Sequence, residues 1–290
     1  MERKDHLQLV TDAGVTLNLG WDYGIPYNID PLNGVSVDLQ LAQGVNQVGQ
    51  TVEQQSVAGV YREIVASFSG ENGDADAEFF LQVLPYQTGG TLYFGDKWFC
   101  RFVVSKTPYT TQLHPFPKLD FMVFCPKPFW YSLEASNYTL GGFEAAFSFP
   151  VNYEQPHYFA TRNADASTNV RNAGSLPVPF TAILRCETAV ENPRIRNTLT
   201  GQSIGFLTTL NPGQIIEVYR TTTDRLAVKR TEGETEENFF WALDEDSDLM
   251  ELAPGDNFLK TEADNGADNL QVLISFYPMY SGILPEVIPL

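Results

Sequence analysis

Apolar and polar residues alternate along much of the chain, in short runs broken by glycine, proline, asparagine and aspartate. In VSVDLQL, residues 35–41, every second side chain is apolar, as a strand half-buried on one face requires. On this ground Leu7–Val10, Val15–Leu19, Val35–Leu41 and Val60–Ser69 are predicted as strands. GDADAEFFLQVL breaks the pattern. Asp74 is a candidate N-cap, and Asp76 and Glu78 fall in a first turn, where the helix dipole favours acids. Phe79, Phe80, Val83 and Leu84 gather on one apolar face, and Pro85 with Gly89 and Gly90 ends the predicted helix.

TLYFGDKWFCRFVV reads as a hairpin turning at Gly95-Asp96. SKTPYTTQLHPFPK, from Ser105 to Lys118, has little core pattern and reads as a long loop or an interaction arm. LDFMVFC then sets Phe121, Val123 and Cys125 on one side and Met122 and Phe124 on the other, which predicts a strand buried on both faces. Pro126 and Pro128 end it, because proline cannot donate to a ladder. Beyond Tyr138 the runs FEAAFSF, HYFAT, PFTAILRC, QSIGFL, QIIEVY, RLAVKR, NFFWAL, NFLKTEA and LQVLISFY read as short strands between turns. That spacing argues for an antiparallel sandwich or jelly roll. The expected fold is mostly β, with one helix. At ~100–200 residues per domain, 290 residues suggest two domains, placed at 1–135 and 136–290.

Composition narrows the function. Hydrophobic residues at 43% suffice for two cores. The net charge of −18 disfavours binding to nucleic acid through phosphates, which needs clustered Lys and Arg. Residues 231–268 hold 13 acids against Lys260 alone, which reads as a solvated face. Cys100, Cys125 and Cys186 cannot all pair and fit reduced thiols in a cytosolic product. MERKDHLQLV lacks the apolar segment of a signal peptide, and no run approaches the ~18 apolar residues of a membrane span, so no membrane partner is expected.

The dense run FMVFCPKPFWYS, Phe121 to Ser132, admits a cysteine nucleophile, a metal ligand, plain core or a seam between domains. The alternation of Cys125 with Phe121 and Val123 favours core. Cys125, Pro126, Pro128, Phe129, Trp130 and Tyr131 then form a stiff aromatic plug at the domain junction. GQSIG, Gly201 to Gly205, matches G-x-S-x-G, but no helix follows, and a turn leading into a strand is the better reading. DEDSD, Asp244 to Asp248, resembles the head of a calcium loop, yet Leu249 and Gly255 stand where an EF-hand needs glycine and glutamate. A capped turn is preferred there. No zinc spacing and no glycine-rich phosphate loop occurs. The sequence therefore points to no catalytic residue, no metal and no cofactor. Trp21, Trp98, Trp130 and Trp241 suit either strand cores or a sugar-stacking platform, with core favoured.

VRNAGSLPVPFTAIL, ENPRIRNTLTGQSI, LNPGQIIEV, LAPGDNFL and LQVLISFYPMYSGI follow one another between Val170 and Ile283. With VFCPKPFWY before them, this ordered set resembles the tail component proteins of long-tailed, siphovirus-type phages, of which the distal tail protein is the type. Over residues 1–120 the likeness is one of layout. The resemblance implies a tail-tube-like amino-terminal β-sandwich with one helix, and a galectin-like, jelly-roll carboxy-terminal sandwich. It implies a virion structural protein at the baseplate, without enzymatic activity. Six copies would form a ring at the tail tip through which DNA passes without specific binding. The implied partners are other copies of the chain, the tail tube or terminator, and a tail-tip lysin or receptor-binding protein. The chain would be made and assembled in the host cytoplasm, for a phage or a prophage. The embracing arm of such a ring would be Thr107, Pro108, Tyr109, His114, Pro115, Phe116 and Pro117. LAPGDNFL would set Gly255 and Asn257 at unusual turn angles. ILPEVIPL, residues 283–290, would be a docking strap or a frayed end. The alternative role is a carbohydrate- or receptor-binding module acting through the carboxy-terminal sandwich.

Overall fold

The computed structural model describes residues 2–69, 72–141, 143–145, 160–162, 167–221, 223–284 and 286–288. It is mostly β and divides into two compact units. The first comprises Met1–Leu133 together with Met279–Leu290, and the second Glu134–Pro278. Residues 279–283, grouped with the second half in the sequence, thus pack with the first unit, where Met279–Tyr280 adds to its sheet.

The main sheet of the first unit is antiparallel. Its strands run in the order Thr16–Leu19, Leu7–Thr11, Gly89–Phe94, Trp98–Gln112, Lys118–Cys125, Val60–Ser67 and Tyr27–Asp30. Trp130–Ser132 joins Trp98–Gln112 at its start and pairs in turn with Met279–Tyr280. Alternation decides the inner face. Leu7 and Leu9, Leu17 and Leu19, Ile64 and Ala66, and Phe121, Val123 and Cys125 are all buried. Irregular register between Lys118–Cys125 and its neighbour, between Asp120 and Val123, bends the long pair.

The helix spans Gly73–Val83, with Asn72 rather than Asp74 as its N-cap. Its buried positions are Gly73, Ala77 and Phe80, followed by Leu84 just past its end. These recur at the helical period, which turns Phe79 away from Phe80 and into solvent. Phe80 meets Phe68 edge-on, with ring centres 5.1 Å apart.

Three other expectations for this unit change. Met122 and Phe124 are half-buried, because Phe124 packs on the exposed Tyr61 at 4.8 Å instead of entering a second core. The segment from Ser105, read as a long loop or an interaction arm, is not a loop over most of its length. The Trp98–Gln112 strand runs through it and pairs with Lys118–Met122. Val35–Leu41 gives a strand over Val37–Ala42, but every residue from Val37 to Leu41 is exposed.

The second unit holds two principal antiparallel sheets. One runs Ser136–Leu140, Leu270–Phe276, Thr181–Cys186, Gln214–Arg220, Leu226–Glu232, Thr235–Asn238; the other runs Thr168–Asn172, Gly255–Glu262, Arg194–Asn197, Ser203–Gly205. Ala182, Leu184, Ile216, Val218, Val272 and Ile274 from the first sheet and Val170, Ile195, Ile204 and Leu259 from the second are buried. FEAAFSF and HYFAT fall outside the described residues except for Phe143–Ala145 and Ala160–Thr161. NFFWAL is not a strand: Phe240–Ala242 forms a short 3-10 turn. Gly255 does adopt a left-handed φ of 89°. Asn257 does not: it is buried in a strand, and its amide donates to the Ala253 carbonyl at 2.8 Å and accepts from the Ala253 N–H at 3.0 Å.

Candidate functional site

The run around Cys125 is organised by a residue outside it. Arg62 lies in VYREIVAS at the inward parity of Ile64 and Ala66, and is fully buried. Its guanidinium donates to the carbonyls of Pro31 at 2.8 Å, Leu32, and Pro128 at 2.8 Å. It stands 4.7 Å over the ring of Trp130, whose indole N–H donates to the Leu32 carbonyl at 3.0 Å. One buried cation therefore ties a strand, the loop after Asp30, and the proline step after Cys125. A charge at a core position of an alternating strand is the signal that marks it in the sequence.

Beside it lie two thiols. Cys100 Sγ and Cys125 Sγ are buried and 3.8 Å apart, within hydrogen-bond reach and not joined by a disulfide. The hydrogen bond from Cys100 brings the Cys125 thiol down to about 7, helped by the Arg62 charge and opposed by burial. The Cys100 thiol moves up, through that same bond and then burial. Pro128 is buried, Phe129 and Tyr131 are half-buried and Pro126 is exposed. Tyr131 packs against Phe99 at 5.5 Å.

In the arm, Pro108 and Pro117 are buried, whereas Thr107, Tyr109, His114, Pro115 and Phe116 are exposed. Tyr109 donates to Asp120 and carries Lys106 over its ring at 4.1 Å. The structure thus gathers these residues on the far end of one hairpin, where Leu113 and Phe116 are bare.

A second projecting hairpin had no counterpart among the expected sites. Val37–Ala42 pairs with Thr51–Val57 as a separate two-stranded sheet. Val37 stands opposite Val57, and Leu41 opposite Val52 after a slip at Gln40. Val37, Leu39, Leu41, Val52 and Val57 therefore share one face, while Asp38 and Gln40 take the other. All five apolar side chains are exposed. At the tip, Gln47 accepts from Gly44 N–H at 2.8 Å and donates to Thr51 at 2.8 Å, and the valines Val45 and Val48 are fully exposed. The alternation of VSVDLQL was real, but its apolar face is left exposed.

In GQSIG, Gly201 takes a left-handed φ of 77° and Ser203–Gly205 is a strand. Ser203 N–H donates to Asp248 at 2.9 Å, and Asp244 pairs with Arg194 at 2.9 Å, so DEDSD braces this strand from a turn. Among the described residues, no three His, Cys, Asp or Glu side chains converge as a metal set. Trp130 is buried and Trp98 half-buried, but Trp21 and Trp241 are 79% and 71% exposed. Both of the exposed pair sit in 3-10 turns rather than on strands, which takes them out of the cores.

No family model and no curated protein matches the chain. Among solved structures it is similar to the SPP1 Dit (gp 19.1) protein, described as a paradigm of hub adsorption apparatus in Gram-positive infecting phages. The TM-score is 0.64 at 14% identity, over 93% of this chain and 98% of that one. Chains of the phage P2 baseplate in its activated conformation with Ca and with Sr align at a TM-score of 0.48 and 13% identity. The first covers 95% of this chain and 98% of its own, the second 94% and 97%. At such identities the likeness is one of fold, and this chain has, nearly end to end, the fold of the SPP1 Dit protein.

Proposed function

We propose that this chain is a structural tail-tip hub of a phage or prophage, acting as a hexameric ring that joins the tail tube to the host-recognition apparatus. The observation that carries the reading is the fold likeness to the SPP1 hub protein over nearly the whole of both chains. The bare hairpin supports it. An isolated two-stranded hairpin is marginal in water, and burying a valine or leucine is worth about 1.5–3 kcal/mol. A neighbouring copy supplies that burial for Val37, Leu39, Leu41, Val52 and Val57. The second projection, around Tyr109, His114 and Phe116, contributes to the same contacts. Such head-to-tail contacts make a closed ring when the rotation closes.

DNA passes through the ring without specific binding, and the net charge of −18 suits that role, since an acidic wall does not retain a polyanion. The tail tube or its terminator and a lysin or receptor-binding protein are the neighbours, at the tip of a virion assembled in the host cytoplasm. The role is one of assembly, without catalysis. Mass photometry and negative-stain imaging of the purified chain, alone and with tail tubes, test this. A ring of six is expected. A chain that remains monomeric in both settings sinks the proposal.

A further inference from the structure

The strand Leu226–Glu232 is paired along its whole length on one side, by Gln214–Arg220. On the other side Thr235–Asn238 pairs with Lys229–Glu232 alone. One further bond follows, from the Phe239 N–H to the Val228 carbonyl at 2.9 Å, and the chain then turns away through Phe240–Ala242. Backbone polar groups of successive strand residues point to opposite sides. Since Val228 faces Phe239, Leu226 sends its own N–H and carbonyl to that same side. The Thr221 N–H donates to the Arg225 carbonyl at 2.9 Å on the opposite side, in keeping with this parity. Among the described residues no strand pairs with Leu226 at the edge it presents there.

An open cleft of about 520 Å³ adjoins this stretch. Consecutive residues of both parities border it, Leu226 to Lys229 on one strand and Glu236 to Asn238 on the next. The space therefore lies beside the strand edge, not above a single face. Its charge is negative. Glu236 and Glu237 are exposed at the border, and the one base there, Lys229, already spans Glu217 at 3.0 Å and Glu236 at 3.4 Å. Tyr219 and the half-exposed Phe240 add apolar surface. Asn238 accepts from the Phe240 N–H at 3.0 Å, which starts the turn that opens the edge. An open sheet edge is a template for another strand. Short, charged edge strands such as Thr235–Asn238 discourage that, but this one ends before it reaches Leu226. A second copy of this chain, at a net charge of −18, is repelled from so acidic a border.

We propose that an extended, basic segment of a different protein adds to this sheet as a strand beside Leu226–Val228. Its backbone takes up the Leu226 N–H and carbonyl, its lysines or arginines meet Glu236 and Glu237, and an apolar side chain packs against Tyr219 and Phe240. Main-chain bonds supply affinity in such additions, and the alternating side chains supply choice of partner. The second unit then captures a protein partner through its sheet edge, whether or not the first unit closes into a ring.

The test uses the full chain and fluorescence anisotropy with a labelled peptide that alternates lysine and valine. The same peptide with N-methylated backbone amides keeps the charge and loses the ladder; a third carries glutamate for lysine. The first peptide should bind, and the other two should bind at least about tenfold more weakly. Hydrogen exchange should slow within residues 226–228 on binding. Leu226→Pro removes the outward N–H at an edge position, where proline is tolerated, and Glu236→Lys reverses an exposed charge. Each should weaken binding by about tenfold with the circular dichroism spectrum unchanged; if the proline variant loses its fold, Glu236→Lys and the exchange data decide. No binding of the first peptide overturns the proposal. So does equal binding of the N-methylated form, which marks charge attraction alone, or binding that Glu236→Lys leaves intact. Particle mass, measured on the same samples, reports the ring separately, so failure of one reading is distinguishable from failure of the other.

Discussion

Arg62 gathers three backbone carbonyls and the face of Trp130 inside the first unit. Replacing it with methionine keeps the volume but strips the carbonyls of Pro31, Leu32 and Pro128 of their donor. Each buried acceptor left unmet costs about 1–3 kcal/mol, so Arg62→Met should lower stability by about 3 kcal/mol or more in urea unfolding. A loss below about 1 kcal/mol would show that these bonds are replaced by water. Cys125 adds a pH signature. Its thiol is near 7 in the folded chain against an ordinary 9.0. The folded chain thus releases this proton first. The stabilisation is full above pH 9 and is lost as pH falls through 7. The raised Cys100 acts in the opposite sense only above pH 9. Melting temperature should therefore climb between pH 7 and 9, and Cys125→Ala should flatten that climb; equal slopes in the two proteins would refute the assignment. The inward place of Cys125 was legible from its alternation with Phe121 and Val123. Its proximity to Cys100 was not, because strand order brings them together across 25 positions.

Among elements, the Val37–Val57 hairpin separates what alternation can tell from what it cannot. Period two announces a strand with one apolar face, and both features are present. The pattern is silent on whether that face is covered by the same chain or another. The same limit explains the arm: prolines at 108, 115 and 117 suggested a loop, yet Pro108 and Pro117 are buried within a continuing hairpin. The helix was legible in existence and missed in phase: neighbours on a helix stand about 100° apart, and the inward side takes Ala77 and Phe80 and leaves Phe79 in solvent. If the hairpin face is a subunit contact, Leu39→Asp with Leu41→Asp should abolish the ring. The melting temperature of the monomer should stay put, because neither side chain is in its core. Rings that persist with both aspartates present would move the contact elsewhere.

At the scale of the whole molecule, the first unit is completed from the far end of the chain. Trp130 and Tyr131 pair with Tyr280 and Met279, and Trp98 meets the Tyr280 ring at 4.8 Å. Asn33 exchanges two bonds with Ile283, at 2.6 and 2.8 Å, and residues 2–4 pair with 286–288. Ending the chain after Pro278 should therefore destabilise the first unit and leave the second unchanged. Hydrogen exchange resolved by segment checks this: faster exchange confined to residues 7–133 is expected, and uniform or absent change would contradict it. ILPEVIPL was read as a docking strap or a frayed end; the pairing fits the strap, but where it docks was not legible, since partners 250 residues away leave no local pattern.

The second unit leaves the first at Leu133 and rejoins it at Met279, from adjacent strands of one sheet. It is an inset held at two neighbouring points, not a bead on a single thread. Any tension or torque applied to it is divided between two covalent crossings. The same arrangement makes it interchangeable: a different module with its ends equally close can occupy the gap while the scaffold that received it keeps its shape.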